Sequence, residues 1–129
     1  MKFSLVILGH PSSTESVSTA FRFAQALLAC GHSLYRVFFY HDGVYCANQL
    51  STPPQDEAVS ADWASLAKAN DIDLVVCIAS ALKRGVIDDA EAKRYNKPAA
   101  NMAPGYHLSG LGQLVDAILV SDRVVSFGP

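Results

Sequence analysis

Four short runs of apolar residues punctuate the chain: Lys2–Leu8 (KFSLVIL), Ser33–Tyr40 (SLYRVFFY), Asp73–Ala79 (DLVVCIA) and Arg123–Phe127 (RVVSF). Each is nearly continuous in apolar residues rather than alternating, which predicts strands covered on both faces. A further short extended segment is expected at Ala99–Met102.

Between these runs the apolar residues fall at helical spacing. Ser16–Cys30 carries Val17, Ala20, Phe21, Ala24, Leu27 and Leu28 on one stripe. Hydroxyls from Ser12 to Ser16 are available for its N-cap, and Gly31 fits the position just past its end. Ala61–Asn70 repeats the pattern with Trp63, Leu66 and Ala67. Asp88 with Glu91 forms a capping-box-like start for a helix ending near Arg94. Ser109–Leu119 carries Leu111, Leu114, Val115, Ile118 and Leu119 as its apolar face.

Strand–helix alternation predicts an α/β fold, a three-layer sandwich whose mostly parallel sheet of about five strands has helices on both faces. No linker or repeat divides the chain, so a single domain over 1–129 is expected, with Thr52–Glu57 (TPPQDE) as an internal loop. In such sheets sites gather at the carboxyl ends of the strands. Here those ends are Gly9–Glu15, Tyr40–Leu50, Ala79–Gly85 and Gly128 onward.

Composition narrows the function classes. Half of the 129 residues are hydrophobic and 17% charged, enough for a packed core. Ten basic against 12 acidic residues, a net −2, exclude a nucleic-acid grip built on a broad basic surface and a polybasic membrane anchor. The first apolar run, Phe3–Leu8, is too short to span a membrane and lacks the layout of a secretory signal. The three cysteines, Cys30, Cys46 and Cys77, lack the spacing of a disulfide framework. A cytoplasmic protein with free thiols is the expectation.

Cys77 is the principal candidate for chemistry. It lies near the carboxyl end of the third run, followed by Ala79, Ser80 and Ala81, then Lys83, Arg84 and Gly85. If a helix starts there, its first amides and the two cations favour thiolate over thiol. Small neighbours would leave the sulfur approachable. The competing reading is a small core residue, since burial raises a thiol's pKa. Cys30 and Cys46 read as structural filler or incidental thiols, with a resolving role open only if the fold brings either near Cys77. His10, His32, His41 and His107 show none of the paired spacings of a zinc site. No Gly-x-Ser-x-Gly elbow is present. The hydroxyl-rich loop Gly9–Ser16 resembles a phosphate cradle, yet it has one glycine and no P-loop lysine, and helix capping explains its serines. Tyr40–Asn48 reads as a strand exit and an Asp-Gly turn, forming either a wall of the Cys77 pocket or a subunit contact.

Four segments in order carry a family resemblance. Cys77-Ile-Ala-Ser-Ala-Leu-Lys-Arg-Gly-Val86 resembles the active-cysteine segment of the TusD/DsrE branch of the DsrE-like sulfur relay (sulfurtransferase) family. Phe38–Val44 with Ala47-Asn48 resembles its second-strand exit, Ser109–Leu114 its last-helix start, and Asp122–Val125 its closing strand. The resemblance implies that Cys77 carries sulfur as a persulfide. It implies work in a heterohexamer with TusB-like and TusC-like (or DsrH-like and DsrF-like) subunits. A TusA-like protein would donate sulfur, and a TusE-like (or DsrC-like) protein would accept it. The sulfur would serve 2-thiolation of transfer-RNA wobble uridine or, alternatively, dissimilatory sulfur oxidation. No cofactor is implied, nor direct contact with nucleic acid or membrane. Cys30 and Cys46 inherit no role, and Lys83 and Arg84 are candidates for charge support. Two other classes stand beside this reading: a flavin-binding, flavodoxin-like electron carrier, and a non-catalytic scaffold subunit.

Overall fold

A computed structural model of the chain describes residues 1–54 and 60–129. Residues Gln55–Glu57 of the expected internal loop lie outside the described residues. The elements are β1 (Lys2–Ile7), α1 (Ser16–Ala29), β2 (Ser33–Phe39), a 3-10 segment (His41–Ala47), α2 (Ser60–Asn70), β3 (Asp73–Cys77), α3 (Ile78–Lys83), α4 (Asp89–Arg94), β4 (His107–Ser109), α5 (Gly112–Val120) and β5 (Arg123–Phe127). The five strands form one sheet in the order β4-β3-β2-β1-β5, and every pairing is parallel.

That order explains the layers. Parallel connections are right-handed. The chain steps one way from β1 through β4, then reverses once to lay β5 beside β1. Helices of the forward steps therefore share a face, and α5, on the reversed step, lies on the other. Packing agrees. Leu5, Ile7, Val37, Phe39, Leu74 and Val76 of the first face form one buried cluster with residues of α1, α2 and α3, among them Val17, Ala20, Ala24, Leu27, Trp63 and Ala81. Phe39 and Phe21 each meet Trp63 edge-on, with ring centroids 5.7 and 5.0 Å away.

The second face is thinner. Its strand residues include Ser4, Arg36, Phe38, Val75 and Cys77, and its helix is α5. The apolar face expected of that helix points outward rather than at the sheet: Leu111, Val115, Ile118 and Leu119 are exposed. Ala117 is its buried residue, with Leu114 partly buried. The physical reason is Arg36, an arginine 6% exposed in an otherwise apolar strand. A buried guanidinium must be bonded. Its Nη1 donates to the Gln113 carbonyl and to Asp116 Oδ2, both at 2.8 Å, and its Nε donates to Asp73 Oδ2 at 2.8 Å. A one-residue slip in the β1–β2 register opposite Tyr35 accompanies a second bond to α5, from Tyr35 Oη to Asp116 Oδ2 at 2.6 Å. These bonds set α5's rotation with its polar side inward.

Several boundaries differ from the sequence expectation. The fifth strand is His107–Ser109, not Ala99–Met102, where Met102 makes only an isolated antiparallel bridge with Asn48. The Asp73–Ala79 run ends as a strand at Cys77 and continues as α3. The hydroxyls expected to cap α1 do not: Glu15 occupies the N-cap without a side-chain bond, while Thr14 and Ser16 bond each other at 2.8 Å. The other caps hold. Asp88 accepts from the Glu91 amide at 2.8 Å. Gly31, at φ +87°, closes α1, its amide donating to the Leu28 carbonyl and the following His32 amide to the Leu27 carbonyl.

Candidate active site

Cys77 is the last residue of β3 and the N-cap of α3. The run DLVVC supplies a strand buried on both sides, and the small residues that follow allow an immediate turn into the helix. Cys77 pairs in register with Ser109 of β4. On the other side, Tyr40 follows Phe39, which pairs with Val76. The sulfur thus stands at the carboxyl edge of the sheet, on the face that α5 covers.

Its surroundings are apolar and closed. Cys77 is 2% exposed and clusters with Phe38 and Val75, with Tyr40 and Leu114 packed against the group. This corrects the expectation of an approachable sulfur. The small residues Ala79 and Ser80 do not open onto it, and Tyr40 and Leu114, distant in sequence, pack against its cluster. Tyr40 is braced: it meets Phe38 edge-on at 5.9 Å and stacks on His41 at 4.2 Å. His41 adopts φ +48°, an uncommon backbone for a non-glycine residue. Its amide donates to Ser80 Oγ at 3.3 Å, tying the exit of β2 to α3.

The expected electrostatic support is not directed at the sulfur. A helix does start after Cys77, but the cysteine side chain makes no cap hydrogen bond. Arg84 is paired instead, donating to Asp42 Oδ1 at 2.9 Å and to the Ser80 carbonyl at 3.2 Å. It latches α3 to the 3-10 segment, and Lys83 is exposed. Gly43 in that segment serves a close approach: a Cβ there would run into the Ile7 carbonyl. The Asp-Gly pair therefore opens a 3-10 helix packed on the end of β1 rather than a simple turn.

The other candidates separate. Cys46 lies in the 3-10 segment within the first-face core, and burial pushes its thiol pKa well up. Cys30 is exposed at the end of α1, just before β2 and so at the opposite edge of the sheet. Neither is brought to Cys77, which leaves no resolving partner among the three thiols. His107 is on β4, in register with Val75 and on the Cys77 face. His10 meets Tyr45 at a tilt with ring centroids 4.7 Å apart, and His32 Nδ1 sits 2.8 Å from the N-terminal amine. In the loop before α1, Thr14 Oγ1 also reaches the His10 carbonyl at 3.4 Å, so these hydroxyls are engaged within the loop. The Arg36–Asp116–Tyr35 group was missed from sequence, although an arginine inside SLYRVFFY was its signal.

The DsrE/DsrF-like family model matches residues 1–127, and the chain belongs to that family. It is 50% identical over 128 residues to the sulfurtransferase TusD of Serratia proteamaculans, covering 98% of this chain and 99% of that one. It is 48% identical to the sulfurtransferase TusD of Cronobacter sakazakii, covering 98% and 100%. It is 47% identical to DsrE of Allochromatium vinosum, covering 99% of each. These likenesses class the chain as a sulfurtransferase. Among solved structures, the YchN protein of E. coli matches with a TM-score of 0.78 at 21% identity, covering 98% of this chain and 99% of that one. That likeness bears on the fold alone. No helix among the described residues is long and apolar enough to cross a membrane.

Proposed function

We propose that Cys77 is the catalytic residue of a persulfide relay. One observation carries this reading: three of the four segments that resemble the family meet at this sulfur. Phe38 and Tyr40 come from one, Leu114 and Ser109 from another, and Cys77 opens the third. The chemistry balances without an external oxidant. The Cys77 thiolate attacks the outer sulfur of a donor persulfide. A new S–S bond forms, the donor's S–S bond breaks, and the donor leaves as thiolate. The acceptor's thiolate then attacks the outer sulfur on Cys77 and restores the Cys77 thiolate.

The chain acts as a single cytoplasmic domain over 1–129, beside TusB-like and TusC-like subunits, between a TusA-like donor and a TusE-like acceptor. The near full-length identity to two TusD proteins supports 2-thiolation of transfer-RNA wobble uridine as the destination.

Incubation with a persulfide donor followed by intact-mass measurement tests the site. Wild type is expected to gain one sulfur, about 32 Da, and Cys77→Ser none. Equal uptake by the variant would overturn the assignment. Deletion of the gene is expected to remove 2-thiouridine from transfer RNA. Unchanged 2-thiouridine would redirect the pathway toward sulfur oxidation.

A further inference from the structure

We propose that the cleft between α3 and α4 is a docking site for an acidic segment of a partner protein. Tyr95 and a floor of Leu82 and Ile87 take an apolar anchor, and Lys83 and Lys97 take the carboxylates beside it. The inference goes beyond the chemistry at Cys77 and stands on the charge and shape of this corner.

Positive charge is concentrated here. Five of the chain's ten basic residues, Lys83, Arg84, Lys93, Arg94 and Lys97, lie between positions 83 and 97, although the whole chain carries a net −2. Arg84 is engaged with Asp42, and Arg94 stands 3.9 Å from Glu91. Lys83, Lys93 and Lys97 have no ion pair among the described residues. The acidic residues of the same stretch do not answer them. Asp88 caps α4, and Glu91 turns inward with one carboxylate oxygen buried. Asp89 remains, exposed in the first turn of α4. One free carboxylate against three free ammonium groups leaves the corner positive.

Backbone bonds fix the shape. Past α3 the chain turns at Gly85, φ +74°. Asn101 braces that turn, its amide nitrogen donating to the Gly85 carbonyl at 3.0 Å and its side-chain oxygen accepting from the Ile87 amide at 2.9 Å. At its far end α4 closes in a Schellman motif. Asn96, at φ +55°, donates its backbone amide to the Lys93 carbonyl at 3.2 Å, and Lys97 donates to the Ala92 carbonyl at 2.8 Å. The two closures set Leu82, Lys83, Ile87, Tyr95 and Lys97 around an open cleft of about 330 Å³. That is room for a large side chain, at the low end of ligand-site sizes. Tyr95 is 50% exposed. A tyrosine on an apolar floor is the composition of an interface core, and unpaired cations at the rim select carboxylates. Walls shaped in advance lose little entropy on binding. The apolar floor gives a phosphate nothing to contact, and a nucleic acid needs a broader basic surface than this chain provides. Lys83 ends the helix whose N-cap is Cys77, six residues or roughly 9 Å along, so a partner held here stands close to the carboxyl edge of the sheet.

The test is an NMR titration of the isotope-labelled full-length chain with three end-blocked peptides: Glu-Glu-Phe-Glu-Glu, Glu-Glu-Gly-Glu-Glu and Lys-Lys-Phe-Lys-Lys. The first is expected to shift the amides of the lining residues. The glycine peptide should bind about tenfold more weakly, for want of the anchor, and the lysine peptide should not bind there. Lys83→Glu with Lys97→Glu is expected to weaken the first peptide at least about tenfold, and Tyr95→Ala about fivefold. Arg22→Glu with Lys68→Glu makes the same charge change at exposed positions on α1 and α2 and should alter binding by less than about twofold. All five substitutions are at exposed positions, and each variant's own spectrum checks its fold. The proposal is overturned by the absence of cleft shifts up to about 5 mM of the first peptide. It is overturned equally by shifts that map elsewhere, by like binding of the glutamate and lysine peptides, or by equal weakening in the two double variants. Inorganic phosphate that reproduces the same shifts at the same concentration would also overturn it, in favour of a plain anion site.

Discussion

The two faces of the sheet are built on different principles. On the first, aromatic and aliphatic side chains from three helices interlock with the strands, and Trp63 is wedged against Phe39 and Phe21. On the second, one nine-residue helix is held mainly by an arginine and its oxygen partners. Five of the eight exposed large hydrophobic residues among the described residues fall between Leu111 and Val120, so the outside of α5 is not an ordinary solvated helix surface. The thick face fixes the fold. The thin face holds the sulfur beneath an element that polar bonds orient and apolar contacts barely grip. Local stability scales with buried contact, so local opening is expected at the thin face before the thick one.

The largest expected effects test the first half of that contrast. Phe39→Ala should cost about 3–5 kcal/mol, from lost transfer energy and the cavity left among Trp63 and Tyr106. Ile118→Ser, on the outward side of α5, should change stability by no more than roughly 0.5 kcal/mol. Urea unfolding of both variants measures the contrast. A cost for Ile118→Ser approaching that of Phe39→Ala would mean that the apolar stripe of α5 packs inward, and the distinction between the faces would break.

A smaller effect is expected at the polar clip. Arg36→Met keeps the side-chain bulk but removes the bonds to Asp73, Asp116 and the Gln113 carbonyl. A loss of about 2 kcal/mol is expected, below that of a buried charge left wholly unpaired, because both aspartates retain access to water. Hydrogen exchange sharpens the point: amides of α5 should lose protection while those of α1 keep theirs. Equal loss in both helices would make Arg36 a general core residue instead of the fastener of one face.

What the sequence made legible follows the same division. Strands buried on both sides advertise themselves, and β1, β2 and β3 were placed that way; β5, the partly exposed strand at the other edge, was placed because its five residues still form a short apolar run. The edge strand β4 was not, because three residues with partial exposure carry no run. The start of α3 was hidden because DLVVCIASAL has no breaker between strand and helix. The stripe on α5 was found, but its direction was not. A hydrophobic pattern says which residues share a side, and the usual inference that this side faces the core failed where a buried guanidinium in β2 required oxygen from the helix above. At the site, Cys77 and its place at the strand end were readable from its segment. Its burial was not, since Tyr40 and Leu114 reach it only through tertiary packing. Arg84 offered a cation near in sequence, and Asp42 claims it in space.

The most delicate test uses acid and base on the clip itself. The hydrogen bond from Tyr35 and the neighbouring Arg36 hold the Asp116 carboxyl below its ordinary 3.8. The same bond to Asp116, with a contribution from desolvation, raises Tyr35 above its ordinary 10.0. A depressed carboxyl contributes stability above its unfolded value and loses it as pH falls through the lower folded one. A raised phenol contributes stability below its unfolded value and loses it as pH rises through the higher folded one. The clip should therefore be constant between 3.8 and 10.0 and weaken outside that window at both ends. The stability difference between wild type and Tyr35→Phe should be flat across the window and shrink above it. That between wild type and Asp116→Asn should shrink below it. Titrating urea midpoints against pH measures both. A Tyr35→Phe difference that persists undiminished in base would show that the phenol oxygen stabilises without its proton, as a phenolate beside the Arg36 guanidinium, rather than as a donor to Asp116. The clip would then be held at Tyr35 by charge on Arg36 instead of by a shared proton, and the contrast with the apolar thick face would be sharper still.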